Sequence, residues 1–160
     1  MKKTIIGLVI LMSASLFAQT AETYLELLRS DVKMEKKTVI AAAMELDQAQ
    51  SEKFWPIYRE FENEWDKLAD VRVEIIKEYA ANYETLTDEK ADELLNKYFK
   101  FDVDKLDLQK NYYEKVKKEV GAKQAGKFIQ LVNRLNMLID IQIAAELPLI
   151  PVDTDSTKTQ

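Results

Sequence analysis

The 160-residue chain contains no cysteine and no histidine, and it has only three glycines and three prolines. Without cysteine there is no disulfide, so stability has to come from a packed core. Without histidine or cysteine the usual ligands for zinc, copper and haem are missing, and so are the Ser-His-Asp and Cys-His catalytic sets. Carboxylate chemistry remains. Acid pairs such as Glu60/Glu64 and Glu62/Asp66 stand at helical i,i+4 spacing, which a solvated helix face explains without an active site. No Asp-x-Asp-x-Asp-Gly loop is present, so calcium binding is not expected. The chain reads as a non-enzyme, with no cofactor and no metal.

Basic surplus is lacking as well: 28 acids face 23 bases, for a net charge of −5. Nucleic-acid binding needs a basic footprint and is not expected. A long apolar run occurs only at the N-terminus, MKKTIIGLVILMSASLFAQT. Lys2 and Lys3 precede an apolar stretch from Ile5 to Met12, and the small residues Ser13, Ala14, Ser15 and Ala18 follow. That order is the layout of a secretory signal peptide. The apolar run of about 14 residues falls short of the roughly 20 that span a bilayer. Cleavage is expected after Ala18, with Thr20 as the alternative, which leaves no integral membrane segment. It would remove two lysines and no acid, moving the charge to −7. The expected organisation is a signal peptide over 1–18, one helical domain over 19–151 and a polar tail over 152–160.

Between residues 57 and 120 there is neither glycine nor proline, and apolar residues recur there at steps of three and four, the pattern of helix. The expectation is an all-α fold of four helices, about 22–44, 48–82, 88–119 and 122–146. They would form an elongated bundle or hairpin-like arrangement. Phe54, Tyr58, Phe61, Trp65, Leu68, Ile75 and Tyr79 form the seam of the second helix, interrupted by Arg72. Arg72 either snorkels or pairs with a buried acid on another helix; Asp140 and Glu146 are the candidates. Phe128, Leu131, Val132, Leu135, Leu138, Ile139 and Ile143 form the stripe of the fourth. Pro56 lies inside the second helix, where a proline costs about 3 kcal/mol, so a kink near residues 52–55 is expected. The alternative is a short piece, 48–53, before a long helix with Pro56 in its first turn. Trp55 lies about 100° from the seam and is a candidate contact residue.

Two helix entries share a form. Leu46-Asp47-Gln48-Ala49-Gln50 and Leu86-Thr87-Asp88-Glu89-Lys90 each place an apolar residue before an N-cap former. Asp47 and Thr87 are placed to accept from first-turn amides, and each leucine is placed to pack one turn on. Gln50 can reciprocate as a capping box, whereas Lys90 cannot accept. A weaker third entry, Val120-Gly121-Ala122-Lys123-Gln124, keeps only Gln124. These entries, behind a signal peptide and ahead of long helices, resemble the LTxxQ-motif family, the Spy/CpxP-like periplasmic helical proteins. Asp47 stands where that motif has threonine, and Lys90 where it has glutamine. The resemblance implies a small, often dimeric envelope protein that binds others: an ATP-independent chaperone holding unfolded clients, or an accessory of envelope-stress signalling.

Charge is unevenly spread. Residues 45–74 carry nine acids and four bases, while residues 110–127 carry six lysines and two acids. Lys110, Lys117, Lys118, Lys123 and Lys127 are therefore candidates for contacting an acidic partner. The reading is a periplasmic protein that binds a protein partner or unfolded client, alone or as a homodimer. A structural or signalling component with one dedicated envelope partner is the alternative, and a carboxylate enzyme or ligand carrier ranks last.

Overall fold

A computed structural model describes residues 35–152 of the chain. The predicted signal peptide, the first part of the first helix and the tail from 153 onward lie outside the described residues. The fold is all-α: among the described residues there are four helices and no strand. The chain divides into two compact units, Met1–Ala43 and Met44–Gln160. Of the first, residues 35–43 are described, and they are helical as part of α1, 35–44. The second unit contains α2 (Gln48–Asn82), a 3-10 turn (Tyr83–Thr85), α3 (Asp88–Val120) and α4 (Ala122–Glu146).

Capping fixes where α2 and α3 begin. Asp47 Oδ1 accepts from the Gln50 amide at 2.8 Å, and Gln50 Oε1 accepts from the Asp47 amide at 3.2 Å, a reciprocal capping box. Thr87 Oγ1 accepts from the Lys90 amide at 3.2 Å. Leu46 and Leu86 are both half-buried beside these caps. Gly121 breaks α3 from α4 with a φ of +90°, a conformation that favours glycine. The third entry works differently from the other two. No side chain caps α4, and Gln124 Oε1 is buried without a hydrogen bond from the described residues.

α2 is a single helix through Pro56, not a short piece followed by a long one. Pro56 is exposed, and so is Glu52, whose carbonyl loses its usual donor four residues on. On the solvent side that carbonyl remains open to water, which limits the cost.

Packing differs between the helix pairs. α3 lies directly against both α2 and α4, whereas no Cα of α2 comes within 8 Å of one in α4. Aromatic side chains bridge that wider gap. The fully buried Phe128 of α4 sets its ring against Phe54, Tyr58 and Phe61 of α2, at 5.5, 6.1 and 5.2 Å between centroids. Tyr112 of α3 meets Phe61 edge-on at 5.4 Å. Met44, Val116, Ala125 and Val132 complete this end of the core. The α2 seam is buried only as far as Phe61; Trp65, Leu68, Ile75 and Tyr79 are half-exposed. Leu138, expected in the α4 stripe, is 61% exposed. With only α3 lying directly against both other long helices, part of each broad apolar stripe faces water.

Candidate functional site

The residues singled out in the sequence fall into three groups. Arg72 and Asp140 meet across α2 and α4, with Nη1 2.5 Å from Oδ1. Their side chains are 23% and 47% exposed, and no polar or charged residue is buried among the described residues. The expectation of a buried pair is therefore corrected: a bundle this thin places the pair at its edge, where water shares in solvating both groups. The Arg72 guanidinium also lies 5.8 Å from the Phe101 ring centroid, a cation–π contact. Glu146 takes no part and is exposed at the end of α4.

The lysines form the second group. Lys127 reaches Glu45 at 2.9 Å and Lys115 reaches Glu60 at 3.1 Å, so the acidic and basic segments meet within one chain. Lys115 also sits 4.3 Å from the Tyr112 ring centroid, and its pKa is raised, chiefly by the Glu60 hydrogen bond. Lys117 pairs within α3 with Glu114 at 3.1 Å. Lys110, Lys118 and Lys123 project into solvent.

Trp55 is the third. It is half-buried, edge-on to Phe54 at 5.2 Å and to Tyr58 at 5.4 Å. Tyr58 is buried and donates to Glu62 Oε1 at 2.7 Å. Burial, reinforced by that carboxylate, pushes the phenol well above the ordinary tyrosine range.

The surface holds features that the sequence reading passed over. Phe99, Val103 and Leu106 on α3 are 57%, 57% and 56% exposed, and on α4 Met137 and Ile141 stand out beside Leu138. Their spacing was the available signal: α3 carries two apolar lines, and the one through Leu94, Phe101, Tyr112 and Val116 is the one buried. Leu149 and Val152, beyond α4, are also exposed, although the Pro148 carbonyl is held by the Tyr79 hydroxyl at 2.9 Å. Concavity is modest. An open depression of about 410 Å³ between α2 and α3 is lined by Leu68, Val71 and Leu108 with Glu64, Asp104 and Asp107.

The chain matches no protein-family model, no curated protein and no solved structure. No helix among the described residues is long and apolar enough to cross a membrane. The physical content of the surface is thus what bears on function: apolar side chains turned to water, interleaved with lysines.

Proposed function

We propose that this is a non-enzymatic, periplasmic protein that binds other proteins, acting as a holdase-type chaperone or an envelope-stress accessory. The observation that carries the reading is the outer side of α4. Lys123, Lys127 and Arg134 occupy its first half, and Met137, Leu138 and Ile141 stand exposed in its second. Exposed apolar residues grouped beside charges mark protein-contact surfaces more often than scattered ones do. Lysines there would steer acidic client segments, and the apolar group would bury their nonpolar side chains reversibly. The signal-peptide layout and the similarity of the Leu46 and Leu86 entries to LTxxQ motifs support the envelope assignment.

Light scattering from an aggregating reduced client tests it. The protein at stoichiometric amounts is expected to suppress the signal, and the Met137→Ser/Leu138→Ser/Ile141→Ser variant to lose most of that effect. Absence of suppression by the unaltered chain removes the chaperone version. A pull-down that then recovers one abundant envelope protein would support the second reading, a component with a dedicated partner. That reading is favoured by the fixed Glu45–Lys127 and Glu60–Lys115 pairs, which leave fewer free charges for variable clients.

A further inference from the structure

The segment beyond α4 has an order that the helices do not use. Leu147-Pro148-Leu149-Ile150-Pro151-Val152 carries both prolines that follow Pro56. Each proline fixes its own φ at about −65° and keeps the residue before it out of the helical region. Four of the six residues are thereby restricted to extended conformations, and Leu147 stands at φ −88° and ψ 121°. No residue of the segment belongs to a helix or strand. It is tied down at one point, where the Tyr79 hydroxyl donates to the Pro148 carbonyl at 2.9 Å, and the Tyr79 ring is itself edge-on to Tyr83 at 5.6 Å. Exposure then repeats every three residues. Leu149 and Val152 are 89% and 79% exposed, and Pro148 and Pro151 are both exposed. Leu147 is half-buried, and Ile150, at 41%, falls well below Leu149 and Val152. A strand would pair Leu147 with Leu149 and Ile150 with Val152 on its two faces, and those partners disagree. Polyproline II has three residues per turn. It sets Leu147 and Ile150 in one column, turned toward the helices, and leaves the proline column and the Leu149–Val152 column facing out.

From this order we infer that residues 147–152 are a polyproline II ligand, presented to a groove lined by aromatic side chains on a partner protein. The spacing Pro148-x-x-Pro151 stacks the two proline rings on one side, where flat aromatic faces receive them. Because the prolines preform the segment, little conformational freedom is lost when it docks. The sequence around it is acidic, with Glu146 before and Asp153 and Asp155 after, so the groove that fits has basic side chains at its ends. Two other occupants fit less well. A sheet edge that took up the segment as a strand would find no amide donor at Pro148 or Pro151. An anionic membrane would need cations beside the apolar residues, and residues 135–157 contain no lysine or arginine. The docking uses none of Met137, Leu138 and Ile141, so it does not depend on whether the α4 surface binds a client.

Site-specific photo-cross-linking in cells that make the full chain tests it, with circular dichroism of each purified variant to confirm folding. A benzophenone amino acid replaces Leu149, Ile150 or Val152, one at a time. Positions 149 and 152 are expected to give the same discrete protein adduct, several-fold stronger than position 150 gives. The partner peptide in that adduct is expected to contain tyrosine or tryptophan. Pro148→Ala/Pro151→Ala loosens the segment and should lower the adduct yield by about tenfold or more. No protein adduct from 149 or 152 overturns the proposal. So does an adduct equally strong from 150, or one whose partner peptide lacks an aromatic residue. An adduct that survives or grows when both prolines are alanine points to strand addition and also overturns it, as does one formed with lipid or with a second copy of the chain. Serine at Met137, Leu138 and Ile141 should leave the adduct intact while client holding falls, so the two readings fail separately.

Discussion

Replacing Phe128 with alanine should separate the load-carrying contacts from the merely apolar ones. Its ring is fully buried and lies edge-on to Phe54, Tyr58 and Phe61. Truncating a buried phenylalanine costs about 3–5 kcal/mol, the spread reflecting how far the site collapses. Collapse is restricted here, because the α2 and α4 backbones stay more than 8 Å apart and ring-to-ring contact is what joins them. Three edge-on pairs, each worth about 0.5–1.5 kcal/mol beyond area, disappear together. The expected loss is thus at the upper end, about 4–5 kcal/mol, a large share of a typical domain's stability of about 5–15 kcal/mol. With a urea slope near 2 kcal/mol per molar, the unfolding midpoint should fall by about 2 M. Phe99→Ala is the comparison: its ring is 57% exposed, and its removal should change stability by no more than about 0.5 kcal/mol. Equal losses for the two variants, or a loss below about 1 kcal/mol for Phe128→Ala, would refute the packing argument.

Three further outcomes follow from the polar contacts. Asp47→Ala removes one arm of the capping box and should cost about 1 kcal/mol by urea titration, whereas Gln124→Ala should lower stability less, since Gln124 caps nothing. A double-mutant cycle with Arg72→Met and Asp140→Asn should give a coupling of about 0.2–1 kcal/mol, as for a solvent-shared pair; a value near 4 kcal/mol would show that water is excluded. Glu78 accepts from Lys90 and from Lys97, the latter at 2.6 Å, and Glu93 accepts from the same two lysines. These hydrogen bonds hold both carboxyls below the usual glutamate value. The unfolded chain therefore binds more protons in that window, so this stabilisation is complete above about pH 4.3 and fades as pH falls through the depressed values. The melting-temperature gap between the unaltered chain and Glu78→Gln should shrink toward zero in acid; a gap constant from neutral pH to about pH 3 would contradict the assignment.

Helix positions were legible because the chain punctuates itself so rarely. With Gly121 the sole break between 88 and 146, and with Asp47 and Thr87 marking entries, α2, α3 and α4 have essentially the predicted limits. Arg72 and Asp140 could be named because a cation inside an apolar seam needs an explanation. Burial was not legible. Periodicity tells which residues share a face but not how many neighbours that face has. Leu138 follows the α4 period yet faces water, because near it α4 is covered on fewer sides than the stripe is wide. The same shortfall of neighbours leaves Arg72 and Asp140 at the surface. Phe99, Val103 and Leu106 were hidden for a different reason: a second apolar line on α3 looks, in sequence, like part of one broad core face.

The two ends of the second unit are held by different physics, and this bears on the proposed activity. Around Phe128 the buried residues come from all three long helices. Toward the α2–α3 turn, among the described residues, only Leu94 and Phe101 are buried. There the helices are joined by Arg72–Asp140, by the lysines on Glu78 and by the Tyr79–Pro148 hydrogen bond. Ion pairs that share their solvation with water contribute little each, and fewer apolar side chains are buried here, so this end opens at lower free energy than the aromatic end. Met137, Leu138 and Ile141 lie on the α4 half that runs toward it. A surface that must accept unlike apolar segments gains from supports that yield cheaply while a rigid core elsewhere keeps the chain folded. The weak end is thus where an adaptable contact surface belongs.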